Sequence, residues 1–151
     1  MGENGENHKN LRLAGKLGEK GLRLTSHRAL VYEVVSSGCD HPSAEEVFAR
    51  ARKKIDSISL ATVYNCLETL VECGMVRSVC KGRMGARYCA NDSPHAHLHL
   101  SEGSVVDVPL SEADVNYLRG LVSREYRVDS FDLDFSGGRI DPQKLTETNF
   151  L

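Results

Sequence analysis

The spacing of apolar positions changes along the chain, and the changes divide it. From Thr25 to Gly74 the period is helical. Leu30, Val31, Val34 and Val35 follow Thr25, an N-cap candidate, and Gly38 stands where a C′ glycine would end this helix near Ser37. Ser43 and Glu46 have capping-box spacing, so a second helix starts there and runs to about Lys54, with Ala44, Val47, Phe48 and Ala51 on one face. A third starts at Ser59, carries Leu60, Val63, Leu67, Leu70 and Val71, and closes at Gly74. Upstream, Leu11, Leu13, Ala14 and Leu17 predict a short helix over 9–20, weakened by Gly15 and Gly18. Residues 1–8 are polar and rich in Gly and Asn, and are expected to be disordered.

After Gly74 the pattern becomes strand-like. Runs over 75–81 and 86–90 flank Gly82-Arg83-Met84-Gly85, a hairpin with a basic tip. A solvated hairpin is the plain alternative. Its place directly after an amphipathic third helix makes it the wing of a winged helix-turn-helix. Asn91-Asp92-Ser93-Pro94 is a turn cluster and the natural hinge. Beyond it, 95–100 alternates, and Val105-Val106-Asp107-Val108 makes a second strand halted by Pro109. A helix is expected over 111–126, capped by Ser111 and Asp114, with Val115, Leu118, Leu121 and Val122 as its stripe. Alternation over 128–135 predicts a last strand before Gly137-Gly138. The expected class is α+β: a winged-helix DNA-binding domain over 1–90, a hinge over 91–94, and a small α/β domain over 95–151. The second domain is too small to bury much core alone, so it is expected to dimerise.

Charge supports that division. The formal charge of −2 hides 14 Lys+Arg against 10 Asp+Glu in 1–90, and 5 against 11 in 91–151. A modestly basic half joined to an acidic half suits a nucleic-acid-binding module fused to something else. The five cysteines are odd in number and form no CxxC pair, and no apolar run is long enough to span a bilayer. Free thiols in a reducing cytoplasm, without membrane attachment, are expected. No phosphate-cradling glycine loop and no nucleophile elbow is present, so nothing argues for an enzyme.

The candidate chemistry lies in His95-Ala96-His97-Leu98-His99. On a strand, the period of two puts all three imidazoles on one face. A solvated polar face is the bland reading. Three histidines in alternation, with Cys89 and Asp107 nearby, favour a metal site instead.

These residues together resemble a known family. The run from His41 through Val76, above all Ser59-Leu60-Ala61-Thr62-Val63-Tyr64-Asn65 with Leu67, Leu70 and Gly74, is similar to the metal-responsive repressors of the ferric uptake regulator (Fur) family. Arg23-Leu24-Thr25-Ser26-His27-Arg28, the histidine strand and Val105-Val106-Asp107 fit the same order, so the resemblance covers roughly 20–137. It implies a homodimeric repressor that binds a palindromic double-stranded DNA operator, with one regulatory divalent metal per chain at the hinge. By motif position the implied ligands are His41, Cys89, His95, His97 and Asp107, with His99 as an additional candidate.

Three departures from the family pattern matter. Leu100-Ser101-Glu102-Gly103 stands where a CxxC pair is usual and the C-terminal pair is absent, so no structural tetracysteine zinc is expected. Pro94, Ala96 and Phe131 occupy places where ligands of an extra site are often found. Cys89 replaces the usual carboxylate, and a thiolate among imidazoles puts zinc ahead of ferrous iron, with manganese and nickel behind. For DNA, Tyr64 and Asn65 are base-edge candidates and Ser59 and Thr62 suit phosphate. Arg23, Arg28, Lys81, Arg83 and Arg87 are backbone candidates, and Lys16 and Lys20 an arm. The alternatives are an iron-based peroxide-sensing repressor, a zinc-buffering protein without specific DNA binding, and a small metallohydrolase, for which no general base is evident.

Overall fold

The computed structural model describes residues 3–38, 40–80, 85–122 and 124–144. Contacts divide the chain into two compact units, Met1–Asp92 and Ser93–Leu151. The architecture is an N-terminal helical, winged-helix-like unit followed by a mixed α/β unit, an α+β fold.

The first unit contains α1 (Glu3–Glu19), α2 (Ser26–Ser36), α3 (Ala44–Ala51), α4 (Leu60–Glu72) and a hairpin of β1 (Arg77–Cys80) with β2 (Ala86–Cys89). Helix α1 starts at Glu3, so residues 3–8, expected to be disordered, are helical. Glycines in this helix each cost about 1 kcal/mol relative to alanine. Leu13 and Leu17 are both fully buried in the unit's core, and each such burial contributes about 1.5–3 kcal/mol. That anchorage offsets the poor local propensity.

The caps form where the sequence places them. Thr25 accepts from the Arg28 amide, and Ser43 and Glu46 make the reciprocal capping box. The end of α4 is a Schellman turn: the Met75 amide donates to the Leu70 carbonyl at 2.9 Å and the Gly74 amide to the Val71 carbonyl at 3.0 Å. Gly74 has φ +69°, the left-handed conformation that turn requires. Gly38 differs from expectation. Helix α2 ends with Ser37 in a right-handed conformation, and Gly38 is not among the positive-φ glycines. A Cβ at Gly38 would meet Asp40 Oδ1 at 2.7 Å, so glycine there makes room for the Asp40–Arg50 ion pair.

The second unit holds β3 (His95–Leu100), β4 (Val105–Pro109), α5 (Glu112–Gly120) and β5 (Asp134–Gly137). The sheet order is β4-β3-β5, with β4 antiparallel and β5 parallel to β3. Two elements are shorter than expected. Helix α5 stops at Gly120 rather than running to 126, because only Val115 of its stripe is buried; Leu121 and Val122 meet no core. The last strand covers Asp134–Gly137 rather than 128–135. Its register pairs His97 with Asp134, so residues 128–131 would run past the start of β3 with no strand beside them. Among the described residues of this unit, Ala96, Leu100 and Val115 are the buried apolar ones, whereas Val106, Tyr117, Leu121, Val122, Tyr126, Phe135 and Ile140 are exposed. Among the described residues no helix is long and apolar enough to cross a membrane.

Candidate metal centre

In the second unit, β3 and β4 bring three donors together. The strand period puts His95 and His97 on one face, and antiparallel register sets Asp107 directly opposite His97. His95 Nε2 and His97 Nε2 are 3.1 Å apart, and Asp107 Oδ1 lies 3.5 Å from the first and 3.7 Å from the second. The two rings meet edge to face, at 88°. His95 and His97 are buried and Asp107 is half-buried.

The geometry also fixes a tautomer. His95 Nδ1 lies 2.6 Å from the Ser93 carbonyl oxygen. A carbonyl only accepts, so Nδ1–H donates to it and a neutral ring presents its lone pair at Nε2, the atom facing His97 and Asp107. Around a tetrahedral zinc with bonds of about 2.0–2.1 Å, neighbouring N/O donors stand about 3.3–3.4 Å apart. The three observed separations bracket that edge, so these residues fit such an ion. His99 goes elsewhere. Its Nε2 is 2.7 Å from Oδ1 of Asp134 on β5, a pairing the sequence did not reveal because the register of β5 was not evident.

In the first unit, His41 and Cys89 come together. His41 sits in the turn between α2 and α3, buried, with φ +49°, a conformation rare for a residue with a side chain. Cys89 ends β2 and is also buried. The Tyr88 amide donates to the Pro42 carbonyl at 3.1 Å, tying these adjacent segments side by side. A ring nitrogen of His41 and the Cys89 sulfur are within 4.8 Å of one another. Arg87, a candidate for contact with the DNA backbone, bonds within this unit. It pairs with Glu46 at 2.9 Å and reaches the His41 carbonyl at 3.4 Å. Glu46 is also the capping-box residue of α3, accepting from the Ser43 amide at 2.7 Å. Each unit thus offers donors of kinds that bind divalent metals, an imidazole and a thiol in the first and imidazoles and a carboxylate in the second.

The candidates for DNA lie on the first unit. Ser59 caps α4, accepting from the Thr62 amide at 3.1 Å, and its hydroxyl is 2.8 Å from that of Thr62. Tyr64 and Asn65 are exposed on the second turn of α4. The Tyr64 hydroxyl donates to Glu45 Oε1 of α3 at 2.8 Å. That bond is the leading cause of both a Glu45 carboxyl held below its ordinary pKa and a Tyr64 hydroxyl raised above its own. Glu45 was not among the sequence-based candidates; a carboxylate in the first turn of a helix reads simply as favourable to the dipole. Arg23 is exposed, and the Arg28 guanidinium donates to the Arg23 carbonyl at 2.6 Å. Lys16 pairs with Glu19 at 3.3 Å and Lys20 is exposed. Lys81 and Arg83 lie outside the described residues.

Residues 19–135 match the ferric uptake regulator family. The chain belongs to that family. Regulators of this family are non-enzymatic DNA-binding proteins. The chain is similar to the peroxide-responsive repressor PerR of Staphylococcus epidermidis, 29% identical over 99 residues that span 65% of this chain and 66% of that protein. It is also similar to the peroxide operon regulator of Bacillus subtilis, 32% identical over 92 residues, 60% of this chain and 63% of the other. Both matches fall just short of two thirds of the relative's own length. The ferric uptake regulator of Helicobacter pylori shares the fold with a TM-score of 0.73 at 20% identity, over 89% of this chain and 91% of that one. The Campylobacter jejuni peroxide stress regulator does so with a TM-score of 0.69 at 23% identity, over 77% and 87%. At such identities the likeness is one of fold.

Proposed function

We propose that this member of the family is a homodimeric, metal-dependent transcriptional repressor. One divalent metal would take donors from both units: His41 and Cys89 from the first, and His97, Asp107 and His95 from the second. The observation that carries the reading is the convergence of two imidazole nitrogens and a carboxylate oxygen at 3.1, 3.5 and 3.7 Å. Such a metal supplies a cross-link, and each side chain does a separate part of the work. Ser93, through its carbonyl, holds His95 in the tautomer that can ligate. Tyr88 and Pro42 hold the two ligand segments of the first unit together. Because the donors come from separate units, metal binding and the geometry of the DNA-binding surface are linked, and each strengthens the other.

The thiol of Cys89 puts zinc first among metals. The exposed apolar residues of the second unit, Tyr117, Leu121, Val122 and Phe135, suit a second copy of this chain, which would complete a thin core and align two recognition helices on a palindrome. The names of the Staphylococcus and Bacillus relatives favour a second reading, an iron-based peroxide sensor. Cys89 speaks against it, since a soft thiolate suits ferrous iron less well than an all-nitrogen-and-oxygen set.

The test is DNA binding to the region upstream of the chain's own gene, with zinc, ferrous iron or chelator. Binding supported by zinc and lost on chelation is expected. Binding indifferent to chelator removes the metal switch. Binding to any DNA alike leaves a metal-buffering protein. Binding that requires iron and is lost with histidine oxidation under peroxide establishes the second reading.

A further inference from the structure

The bond between Tyr64 and Glu45 bears on which bases are read. Tyr64 lies in the second turn of α4, at the end of the helix that enters the major groove in a helix-turn-helix, and it is 44% exposed. A phenol has one hydrogen to donate and lone pairs to accept with. Here the hydrogen goes to Glu45 Oε1, 2.8 Å away on α3.

Resting on the repressor reading above, we infer that Glu45 is a positioning residue that fixes the hydrogen-bond polarity of Tyr64, so that the pair selects an exocyclic amino group in the major groove. With its proton committed to the carboxylate, the Tyr64 oxygen can only accept. In the major groove adenine N6 and cytosine N4 donate, whereas thymine O4 and guanine O6 accept. The pair therefore favours adenine or cytosine over thymine or guanine at one place in each half-site. The carboxylate adds a second element, because its charge repels phosphate and penalises a helix displaced onto the backbone. Both groups are exposed in the free protein, so their bond adds little to folding; its effect appears when DNA excludes water around it.

The experiment selects binding sites from random duplexes with the full-length, zinc-loaded chain and three variants: Glu45→Gln, Tyr64→Phe and the double. Glutamine keeps the shape and a hydrogen bond to Tyr64, but its amide can also donate and so free the phenol hydrogen. A purely structural role would leave Glu45→Gln silent. The expected result is a loss of roughly tenfold in preference for adenine or cytosine, at the same position in Glu45→Gln as in Tyr64→Phe. The double variant loses no more than the single ones, and affinity of Glu45→Gln for random DNA is equal or higher. The inference is overturned if Glu45→Gln keeps the wild-type preference, or if the variants weaken all sequences alike. If the wild-type chain selects no sequence with zinc bound, the repressor reading falls together with it. If it selects one and the variants keep it, only this inference falls.

Discussion

Replacing Cys89 by serine separates ligation from packing. Cys89 is 5% exposed and Cys66 on α4 is 6% exposed, so the two thiols are matched in burial. Burial pushes the Cys66 thiol up from its ordinary pKa, which keeps it a protonated core group. In either place a serine hydroxyl must be buried, at a cost of about 1–3 kcal/mol if it finds no partner. At Cys89, as the proposed ligand, the change would also exchange a thiolate donor for a neutral hydroxyl. Loss of a group that merely orients a ligand weakens metal binding by about 10–100-fold, so loss of the ligand itself should reach at least the upper figure, about 2.7 kcal/mol. With metal and DNA binding linked as proposed, the zinc concentration giving half-maximal DNA binding should rise by about the same 100-fold. Fluorescence anisotropy of labelled operator in buffered zinc reads that midpoint, and urea unfolding of the metal-free proteins reads the packing cost. Cys66→Ser should lower stability comparably and leave the zinc midpoint unmoved. A Cys89→Ser midpoint equal to wild type, or equal shifts in both variants, would refute the assignment of Cys89 as a ligand.

Other expectations follow from local geometry. Gly74→Ala forces a side chain into φ +69° and should destabilise the first unit by about 1–2 kcal/mol, whereas Gly15→Ala within α1 should stabilise it by about 0.5–1 kcal/mol; chemical denaturation gives both signs. Leu121→Asp, at an exposed apolar position beyond α5, should shift sedimentation toward a monomer while the circular dichroism stays unchanged; an unaltered dimer would place the interface elsewhere. Asp114 is held below its ordinary pKa first by the Ser111 hydroxyl and then by the Ser111 backbone. A lowered carboxyl pKa means the unfolded chain binds the proton more readily, so its contribution is present above the unfolded pKa and lost as pH falls through the folded one. Asp114→Asn should therefore destabilise α5 at neutral pH and make little difference in acid, as read by amide hydrogen exchange along the helix.

Where short-range chemistry decides, the sequence was sufficient. Thr25, Ser43, Ser59 and Ser111 each cap the helix that follows, because a cap needs only residues three apart. The convergence of His95, His97 and Asp107 was partly legible, since strand alternation fixes the first two and only the register of β4 was needed for the third. Partnerships between distant elements were not legible. Asp134 reaches His99 only through the parallel pairing of β5, and nothing in the alternation over 128–135 reveals that strand's register. Arg87 looks like a wing cation in the sequence, yet Glu46, 41 residues away, engages it. Gly38 has the position of a helix-ending glycine, but the close approach of Asp40 accounts for it.

Cobalt substitution tests most directly the proposal that one divalent metal would take ligands from both units. Cobalt(II) bound to a thiolate gives a near-ultraviolet charge-transfer band, and its visible bands report coordination number. One cobalt per chain is expected, with a sulfur band lost in Cys89→Ser and visible bands altered in His97→Ala, so that a residue from each unit acts on a single ion. A spectrum without a sulfur band, or separate ions answering separately to the two substitutions, would contradict it.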